Sequence, residues 1–224
     1  MTPVAPVATE TRWWFVRHAP VVGMKGRLYG SSDVPCDTSD TEAFTGLAEK
    51  LPADAVWMTS HLSRTHATAA AIRAAGLNAP EPLIEPDIRE QDFGEWAELT
   101  WHEMEHNEPD VYAKFWEAPA RNAPPGGESF ADVVARTAKV VDAYTAKHTG
   151  RDIVAVCHGG SIRGAVAHAM GLTPEAGMAV VVDTLSLTRI DHIDGGLLRG
   201  KGSTWRLLGV NHPATGGAPG GYMR

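Results

Sequence analysis

Short apolar runs alternate along the chain with longer stretches in which apolar and polar residues recur at helical spacing. The apolar runs are rich in aromatic and β-branched side chains, which is typical of buried strands. Such strands are predicted at 13–18, 55–59 and 152–157. Helices are predicted at 41–51, 62–75, 97–117 (one or two helices interrupted near Pro109), 129–148 and 161–170. This alternation predicts a mostly parallel sheet covered on both faces, a three-layer α/β/α sandwich.

Towards the end of the chain, strands follow one another without helices between them. They are predicted at 180–182, 186–190 and 204–210 and indicate an antiparallel edge to the sheet. No internal repeat or linker divides the chain, so residues 12–212 are predicted to form one domain. Residues 1–11 are expected to be a disordered N-terminal arm, and the Gly/Pro-rich residues 213–224 a flexible C-terminal tail.

The composition indicates an ordinary globular protein with an acidic surface. Hydrophobic residues make up 43% of the 224 residues and charged residues 21%, and the formal net charge is −7. This charge argues against a protein built to bind nucleic acid or an anionic membrane, but leaves room for a local basic pocket that binds a small anion. The two cysteines are too few for a disulfide framework. With neither a signal peptide nor an apolar run of about 20 residues, the protein is expected to be cytoplasmic.

Two predicted strands end in residues that could bind and attack an anion. The first ends in Arg17 and His18, and the Ala-Pro that follows forces an irregular segment. The second ends in His158, and Gly159 and Gly160 then lead into a helix. Ligands of open α/β sheets bind beyond the carboxyl ends of the strands, and a helix N-terminus offers free N–H groups to an anion. Taken singly, each motif could also be a strand end in solvent or a tight turn.

Three further segments carry candidate residues. Arg64 falls in the first turn of a predicted helix, where a cation is unfavourable unless it shares an anion with the free amides. Glu90 lies in a turn-prone stretch before Gly94, and Glu128 lies beside the predicted N-cap Ser129. Each could alone be a solvated charge or a helix cap.

Together these segments resemble the motifs of the histidine phosphatase superfamily, the phosphoglycerate mutase-like proteins, in order and spacing from residue 12 to about residue 170. The matching positions are Arg17-His18-Ala19; Ser60, Leu62, Arg64, Thr68 and Ala69; Glu90, Gly94 and Trp96; Gly126-Gly127-Glu128-Ser129; and Val156, His158, Gly159 and Gly160. Ala19 stands where the family has glycine, and the family's asparagine a few residues after the histidine has no counterpart.

The resemblance implies a metal-independent mechanism without a cofactor. His18 would attack the phosphorus of a phosphomonoester and become a phosphohistidine. Arg17, Arg64 and His158 would hold the phosphoryl oxygens, with Gly159 also at the phosphate. Glu90 would protonate the leaving alkoxide and then accept a proton from water.

The substrate is less well defined by the sequence. Arg27 lies in an Arg-x-x-Gly-x-x-Asp pattern and is expected to reach it. Residues 95–120 offer only Lys114 to hold the carboxylate of a phosphoglycerate, which favours a phosphatase over a mutase. The sequence is similar to α-ribazole phosphatase-like proteins, and the expected partner is a small phosphorylated metabolite. Neither that metabolite nor the oligomeric state follows from the sequence.

Four alternatives stand beside this interpretation. The chain could be a phosphoglycerate mutase-type phosphotransferase, or a phosphate-binding or scaffolding relative without catalysis. His102 and His106 form an H-E-x-x-H pattern that is typical of zinc hydrolases, although Pro109 soon ends the helix. A serine hydrolase elbow at Ser161 is disfavoured, because Arg163 occupies the position of its last glycine.

Overall fold

The computed structural model describes residues 8–196 and 202–216, and six strands of this part form one sheet. The strands are β1 (Thr9–Arg17), β2 (Val56–Thr59), β3 (Leu83–Ile84), β4 (Asp152–Cys157), β5 (Leu187–Asp194) and β6 (Ser203–His212), and their order is β3-β2-β4-β1-β5-β6. The pairs β3/β2, β2/β4 and β4/β1 are parallel, and β1/β5 and β5/β6 are antiparallel. The predicted mixed sheet with an antiparallel edge is confirmed.

Helices cover both faces of this sheet. They are α1 (Thr41–Lys50), α2 (Ser63–Ala74), α3 (Trp101–Asn107), α4 (Pro109–Glu117), α5 (Phe130–Lys147), α6 (Gly159–Met170) and α7 (Pro174–Met178). Successive side chains of a strand point to opposite faces, so Trp14 and Val16 pack with α1 and α2 while Trp13 and Phe15 pack with α5 and α6. β1 is therefore apolar on both faces of the sheet. Because helices cover both faces, the predicted three-layer sandwich is confirmed.

The N-terminal arm predicted for residues 1–11 is wrong at its end, because β1 begins at Thr9. Thr9 to Thr11 pair with Asp194 to His192 of β5, and the hydroxyl of Thr11 accepts a hydrogen bond from the amide of Gly150 at 2.9 Å. These residues are polar, so an apolar pattern does not mark them as a strand. Residues 1–7 lie outside the described residues.

The strand predicted at Val180–Val182 is also wrong. The segment follows α7 and is not paired within the sheet. Its carbonyls accept hydrogen bonds from arginine side chains instead: Val180 from Arg163 at 2.7 Å and Val182 from Arg17 at 2.6 Å. β-Branched composition alone does not distinguish a strand from an extended segment held by side chains.

The first residues of the predicted C-terminal tail pack against the rest of the protein. Ala214 is buried against α1, where Lys50 donates hydrogen bonds to the carbonyl of Pro213 at 3.1 Å and to that of Ala214. The flexible tail predicted for 213–224 is therefore wrong at its first residues. Residues 217–224 lie outside the described part.

The connection between β3 and α5 carries α3 and α4, separated by Pro109 as the sequence predicts. Trp96, Met104 and Phe115 form a separate small core there, and Leu28 packs against it. Across 8–196 and 202–216, none of the helices has the length and apolarity that a membrane span requires.

Candidate active site

The two central strands β1 and β4 bring His18 and His158 together. They run parallel with Arg17 opposite Cys157, and the amide of His18 donates to the carbonyl of Cys157 at 2.9 Å. Each histidine follows its strand directly, so the two imidazoles lie at the same edge of the sheet. Their ring centroids are 5.1 Å apart.

His18 is fully buried, and its hydrogen bonds determine which nitrogen is protonated. Nδ1 lies 2.7 Å from the carbonyl oxygen of Ala19. A carbonyl only accepts, so Nδ1 carries the proton and Nε2 keeps its lone pair. Among the described residues, Nε2 has no hydrogen-bond partner. Burial, together with the positive charge of Arg64, lowers the pKa of His18 to about 3. The ring is therefore a neutral imidazole with a free nucleophilic nitrogen.

His158 is also buried, and both of its ring nitrogens are engaged. Nδ1 accepts from Nε of Arg64 at 3.3 Å, which leaves Nε2 to donate to the Ser60 hydroxyl at 2.7 Å. Burial and the neighbouring His18 and Arg64 hold the pKa of His158 well below its ordinary value. To donate to a phosphoryl oxygen, His158 would have to exchange its bond with Ser60.

Arg64 lies in the first turn of α2, as predicted, and is fully buried. Its terminal nitrogens donate to the carbonyls of Gly30 at 2.6 Å and Ser32 at 2.7 Å. Its guanidinium lies 5.3 Å from the ring centroid of Tyr29. Burial lowers the pKa of Arg64, but an arginine keeps its charge at neutral pH. Each terminal nitrogen carries one more N–H than these two bonds use, so the fixed guanidinium can still donate to an anion.

Arg17 contributes a second guanidinium beside the N-terminus of α6. One terminal nitrogen donates to the Val182 carbonyl, while Nε is buried and has no hydrogen-bond partner among the described residues. A Cβ at Gly159 would lie 3.4 Å from that Nε, so glycine lets the helix backbone approach the guanidinium closely. α6 begins at Gly159, two residues earlier than the sequence predicts.

Glu90 reaches the same helix end from the loop after β3. One of its oxygens accepts from the amide of Gly160 at 2.9 Å and from that of Gln91 at 3.0 Å. A Cβ at Gly159 would lie 3.7 Å from its other oxygen. A carboxylate at a helix N-terminus is stabilised by the free amides and the helix dipole. The structure therefore brings together Arg17, His18, Arg64, Glu90, His158 and Gly159.

Arg27 is placed differently from the other predicted site residues. Its guanidinium donates to the carbonyl of Glu98 at 2.7 Å and to the carboxylate of Glu103 at 3.2 Å. These contacts attach the loop after β1 to the start of α3, and Arg27 forms no hydrogen bond or ion pair with the other predicted site residues.

The two alternative catalytic motifs lack the partners they need. His102 and His106 stack with ring centroids 5.9 Å apart, but within 8–196 and 202–216 no three histidine, cysteine or acidic residues are grouped for a metal ion. The hydroxyl of Ser161 donates to the carbonyls of Ile88 and Arg89, both at 2.7 Å. It thus supports the Glu90 loop and is not a free nucleophile.

Sequence reasoning missed several residues that support the site. Tyr29 packs edge-on against His18 at 6.4 Å between ring centroids, and Thr68 accepts from the amide of Ala19 at 2.9 Å. Ser60 and Thr68 match motif positions in the sequence, but spacing alone does not indicate their contacts. Arg136 on α5 carries no signal in the sequence, because an arginine on an amphipathic helix has no distinctive pattern.

The two neutral histidines predict an acid-sensitive fold. His18 titrates at 6.5 when unfolded and at about 3 when folded, so only the unfolded chain binds this proton between those values. The stability that neutral burial contributes is complete above pH 6.5 and is lost as the pH falls towards 3. At pH 4.5 the free energy of unfolding is lower by about 2–3 kcal/mol because of His18 alone.

Urea unfolding of the wild type and of His18→Asn at pH 7.0 and 4.5 measures this effect. The variant is expected to lose about 2–3 kcal/mol less than the wild type on acidification. His102→Asn, which replaces an exposed histidine, is the control. Equal losses in the wild type and His18→Asn would contradict the prediction.

Comparison with known proteins finds relatives of this chain. The family model of the histidine phosphatase superfamily (branch 1) matches residues 13–199. A metal-independent phosphoserine phosphatase of Arabidopsis thaliana is 30% identical over 154 residues, which cover 66% of this chain and 64% of that protein. A glucosyl-3-phosphoglycerate phosphatase of Mycolicibacterium vanbaalenii is 30% identical over 156 residues, covering 65% of this chain and 68% of that protein. The chain thus matches just under two thirds of the plant relative's length, and 42% of a bifunctional protein of Mycobacterium tuberculosis.

Solved structures show the same fold. The crystal structure of a putative α-ribazole-5'-P phosphatase from Escherichia coli superimposes with a TM-score of 0.74 at 22% identity, over 91% of this chain and 98% of that one. A mycobacterial glucosyl-3-phosphoglycerate phosphatase in complex with VO3 gives a TM-score of 0.71 at 25% identity, over 90% and 98% of the two chains. With its family model matched over most of its length, this chain belongs to branch 1 of the histidine phosphatase superfamily.

Proposed function

We propose that this protein hydrolyses a small phosphomonoester through a phosphohistidine formed on His18. The observation that carries the proposal is the free Nε2 of a neutral, buried imidazole. The guanidinium groups of Arg17 and Arg64 lie close enough to this imidazole to lower its pKa, and their positive charge would stabilise a phosphoryl group in transfer. Planar guanidinium groups can pair with two phosphoryl oxygens at once.

In the first step, Nε2 of His18 attacks phosphorus and the bond to the ester oxygen breaks. The leaving alkoxide takes a proton from the carboxylic acid form of Glu90, so a neutral alcohol departs. The phosphorylated ring keeps its Nδ1 proton, and the Ala19 carbonyl that accepts from Nδ1 stabilises the positive charge on that ring.

In the second step, water attacks the phosphohistidine. The carboxylate of Glu90 takes a proton from this water, the N–P bond breaks, and inorganic phosphate leaves. His18 returns to the neutral tautomer and Glu90 to its acid form. Both steps use residues of the chain alone, so no metal or cofactor is required.

Hydrolysis is favoured over phosphotransfer between phosphoglycerates by the scarcity of cations in the segment that follows the acid loop. Lys114 is the only lysine or arginine between residues 95 and 120, and it is exposed on α4. Two relatives are named as phosphatases of phosphoserine and of glucosyl-3-phosphoglycerate, and others as phosphoglycerate mutases. These names support a small phosphorylated metabolite as the substrate of this chain and leave the leaving group open.

Phosphate release by the purified full chain tests the proposal. Sustained release from p-nitrophenyl phosphate and from a panel of phosphorylated metabolites is expected, unchanged by a chelator. Faster transfer from 2,3-bisphosphoglycerate to phosphoglycerate than to water would instead identify a mutase. Binding of phosphate without turnover would identify a scaffolding relative, and loss of activity with the chelator would identify a metal hydrolase.

Gly160→Ala is expected to lower kcat/KM for an alkyl phosphate by about 10- to 100-fold, because the new methyl group occupies the space of the Glu90 carboxylate oxygen. The fold should remain intact, since alanine is favourable inside a helix and the group that must move is the end of a flexible side chain. Steady-state kinetics and a thermal melt check both parts. Unchanged kinetics would show that the carboxylate position is not needed.

The cytoplasm is the location we infer for this activity. Cys36 and Cys157 are free thiols, and Cys157 lies fully buried at the end of β4. Thiols in such positions are typical of proteins made in a reducing compartment. Cell fractionation with an antibody against the chain tests this, and recovery from a secreted fraction would contradict it.

A further inference from the structure

The catalytic acid of the proposed reaction lies on a segment without regular structure. Residues 89–91 belong to neither a helix nor a strand, whereas both histidines directly follow central strands. A loop does not by itself hold a side chain precisely enough for proton transfer, so its backbone needs support from rigid elements.

Arg136 of α5 supplies such support. One terminal nitrogen donates to the Asp87 carbonyl at 2.7 Å and the other to the Glu90 carbonyl at 3.2 Å. The guanidinium therefore binds the backbone of the loop at two points, at Glu90 itself and at Asp87, three residues earlier. α5 is an 18-residue helix with its own N-terminal capping box, so the grip starts from a rigid element.

Glu128 completes this support from the other side. Its two oxygens accept from Nε of Arg136 at 3.0 Å and from a terminal nitrogen at 2.9 Å, a bidentate pair. One of these oxygens also accepts from the amide of Asp92 at 3.0 Å. The side chains of Arg136 and Glu128 are only 11% and 14% exposed, so solvent weakens the pair little.

We propose that Arg136 and Glu128 are positioning residues that hold the backbone of Glu90 so that its carboxyl group meets the ester oxygen. This inference rests on the proposed function. Both residues act through hydrogen bonds to the loop, not through contact with substrate. Loss of either leaves His18, Arg17 and Arg64 in place and impairs proton donation to the leaving group.

Two substrates separate this role from a general structural one. A p-nitrophenolate leaving group departs without a proton, whereas an alkoxide needs the acid. The ratio kcat/KM reports only the steps up to cleavage of the ester, so it excludes the hydrolysis of the phosphohistidine. We therefore compare kcat/KM for p-nitrophenyl phosphate and for glycerol 2-phosphate.

Arg136→Gln is expected to lower kcat/KM for glycerol 2-phosphate about 30-fold or more and that for p-nitrophenyl phosphate less than about 3-fold. In a Glu90→Gln background the added substitution should have less than about a 3-fold effect on either substrate. Glu128→Gln should act in the same direction as Arg136→Gln. Arg121→Gln, which breaks an exposed bidentate pair with Glu175, is the matched control. It should leave kcat/KM unchanged for both substrates.

Hydrogen exchange gives a readout that does not depend on activity. In Arg136→Gln the amides of Gln91 and Asp92 should exchange at least about 10-fold faster, while those of β1 and β4 stay protected. The inference would be overturned if kcat/KM fell equally for the two substrates, or if Arg136→Gln kept its full effect in the Glu90→Gln background. Unchanged exchange rates of the Gln91 and Asp92 amides would also overturn it. Absence of turnover by the wild type would instead overturn the proposed function, and the exchange experiment would still decide the support of the loop.

Discussion

Substitution of His18 by alanine is expected to lower kcat/KM for p-nitrophenyl phosphate by at least about 10⁴-fold. The free Nε2 is the nucleophile of the proposed reaction, and the nearest other imidazole, His158, has both nitrogens engaged by Ser60 and Arg64. Without Nε2, no group at that position can attack phosphorus.

Covalent trapping tests the same residue more directly. After rapid mixing with radiolabelled substrate and denaturing quench, the wild type should carry label that is released by acid and is stable to base, as a phosphohistidine is. His18→Ala should carry none, and His168→Ala, which alters a surface histidine, should carry as much as the wild type. Label retained in His18→Ala would place the intermediate on another residue.

The second large effect is expected from Arg64→Lys. This substitution should lower kcat/KM for p-nitrophenyl phosphate by about 10²–10³-fold, although the positive charge is kept. An ammonium group cannot reproduce the fork that donates at once to Gly30, Ser32 and His158. The carbonyls of Gly30 and Ser32 would lose partners, and the pocket would lose its fixed pair of donors. A loss of about 1–3 kcal/mol in the free energy of unfolding should accompany the kinetic change.

Arg73→Lys provides the control for this substitution. Arg73 lies on the same helix, α2, and forms an exposed ion pair with Glu81. Its replacement should leave kcat/KM unchanged and the unfolding free energy within about 0.5 kcal/mol. If Arg64→Lys behaved like Arg73→Lys, Arg64 would not be part of the phosphoryl site.

The sequence predicts the central part of the site well because the strands themselves carry it. The apolar runs that end at Arg17-His18 and at Cys157-His158 identify buried strands, and parallel strands bring such ends together. The tautomer of His18 is set by a neighbour in sequence, the carbonyl of Ala19, whereas its neutral state depends on burial and on Arg64. The convergence of the two histidines therefore needs only the alternation of strands and helices.

What the sequence could not predict depends on side chains that reach across the fold. Arg27 matches a motif, yet its partners Glu98 and Glu103 are more than 70 residues away along the chain. The start of β1 and the non-strand path of Val180–Val182 are decided by pairing with distant segments. No local pattern records such pairings, and the same holds for the grip of Arg136 on the Glu90 loop.

The register between β1 and β4 has a consequence for how specificity can diversify in this scaffold. The spacing of the two imidazoles is set by the hydrogen-bonded register of two interior strands, whereas α3 and α4 lie in a separate connection with its own small core. Such a surface segment can be exchanged to admit substrates with other alcohol groups, without a change in the residues of the proposed phosphoryl transfer. Engineering of new selectivity should therefore replace residues within α3 and α4, and keep the ends of the two central strands and the Glu90 loop untouched.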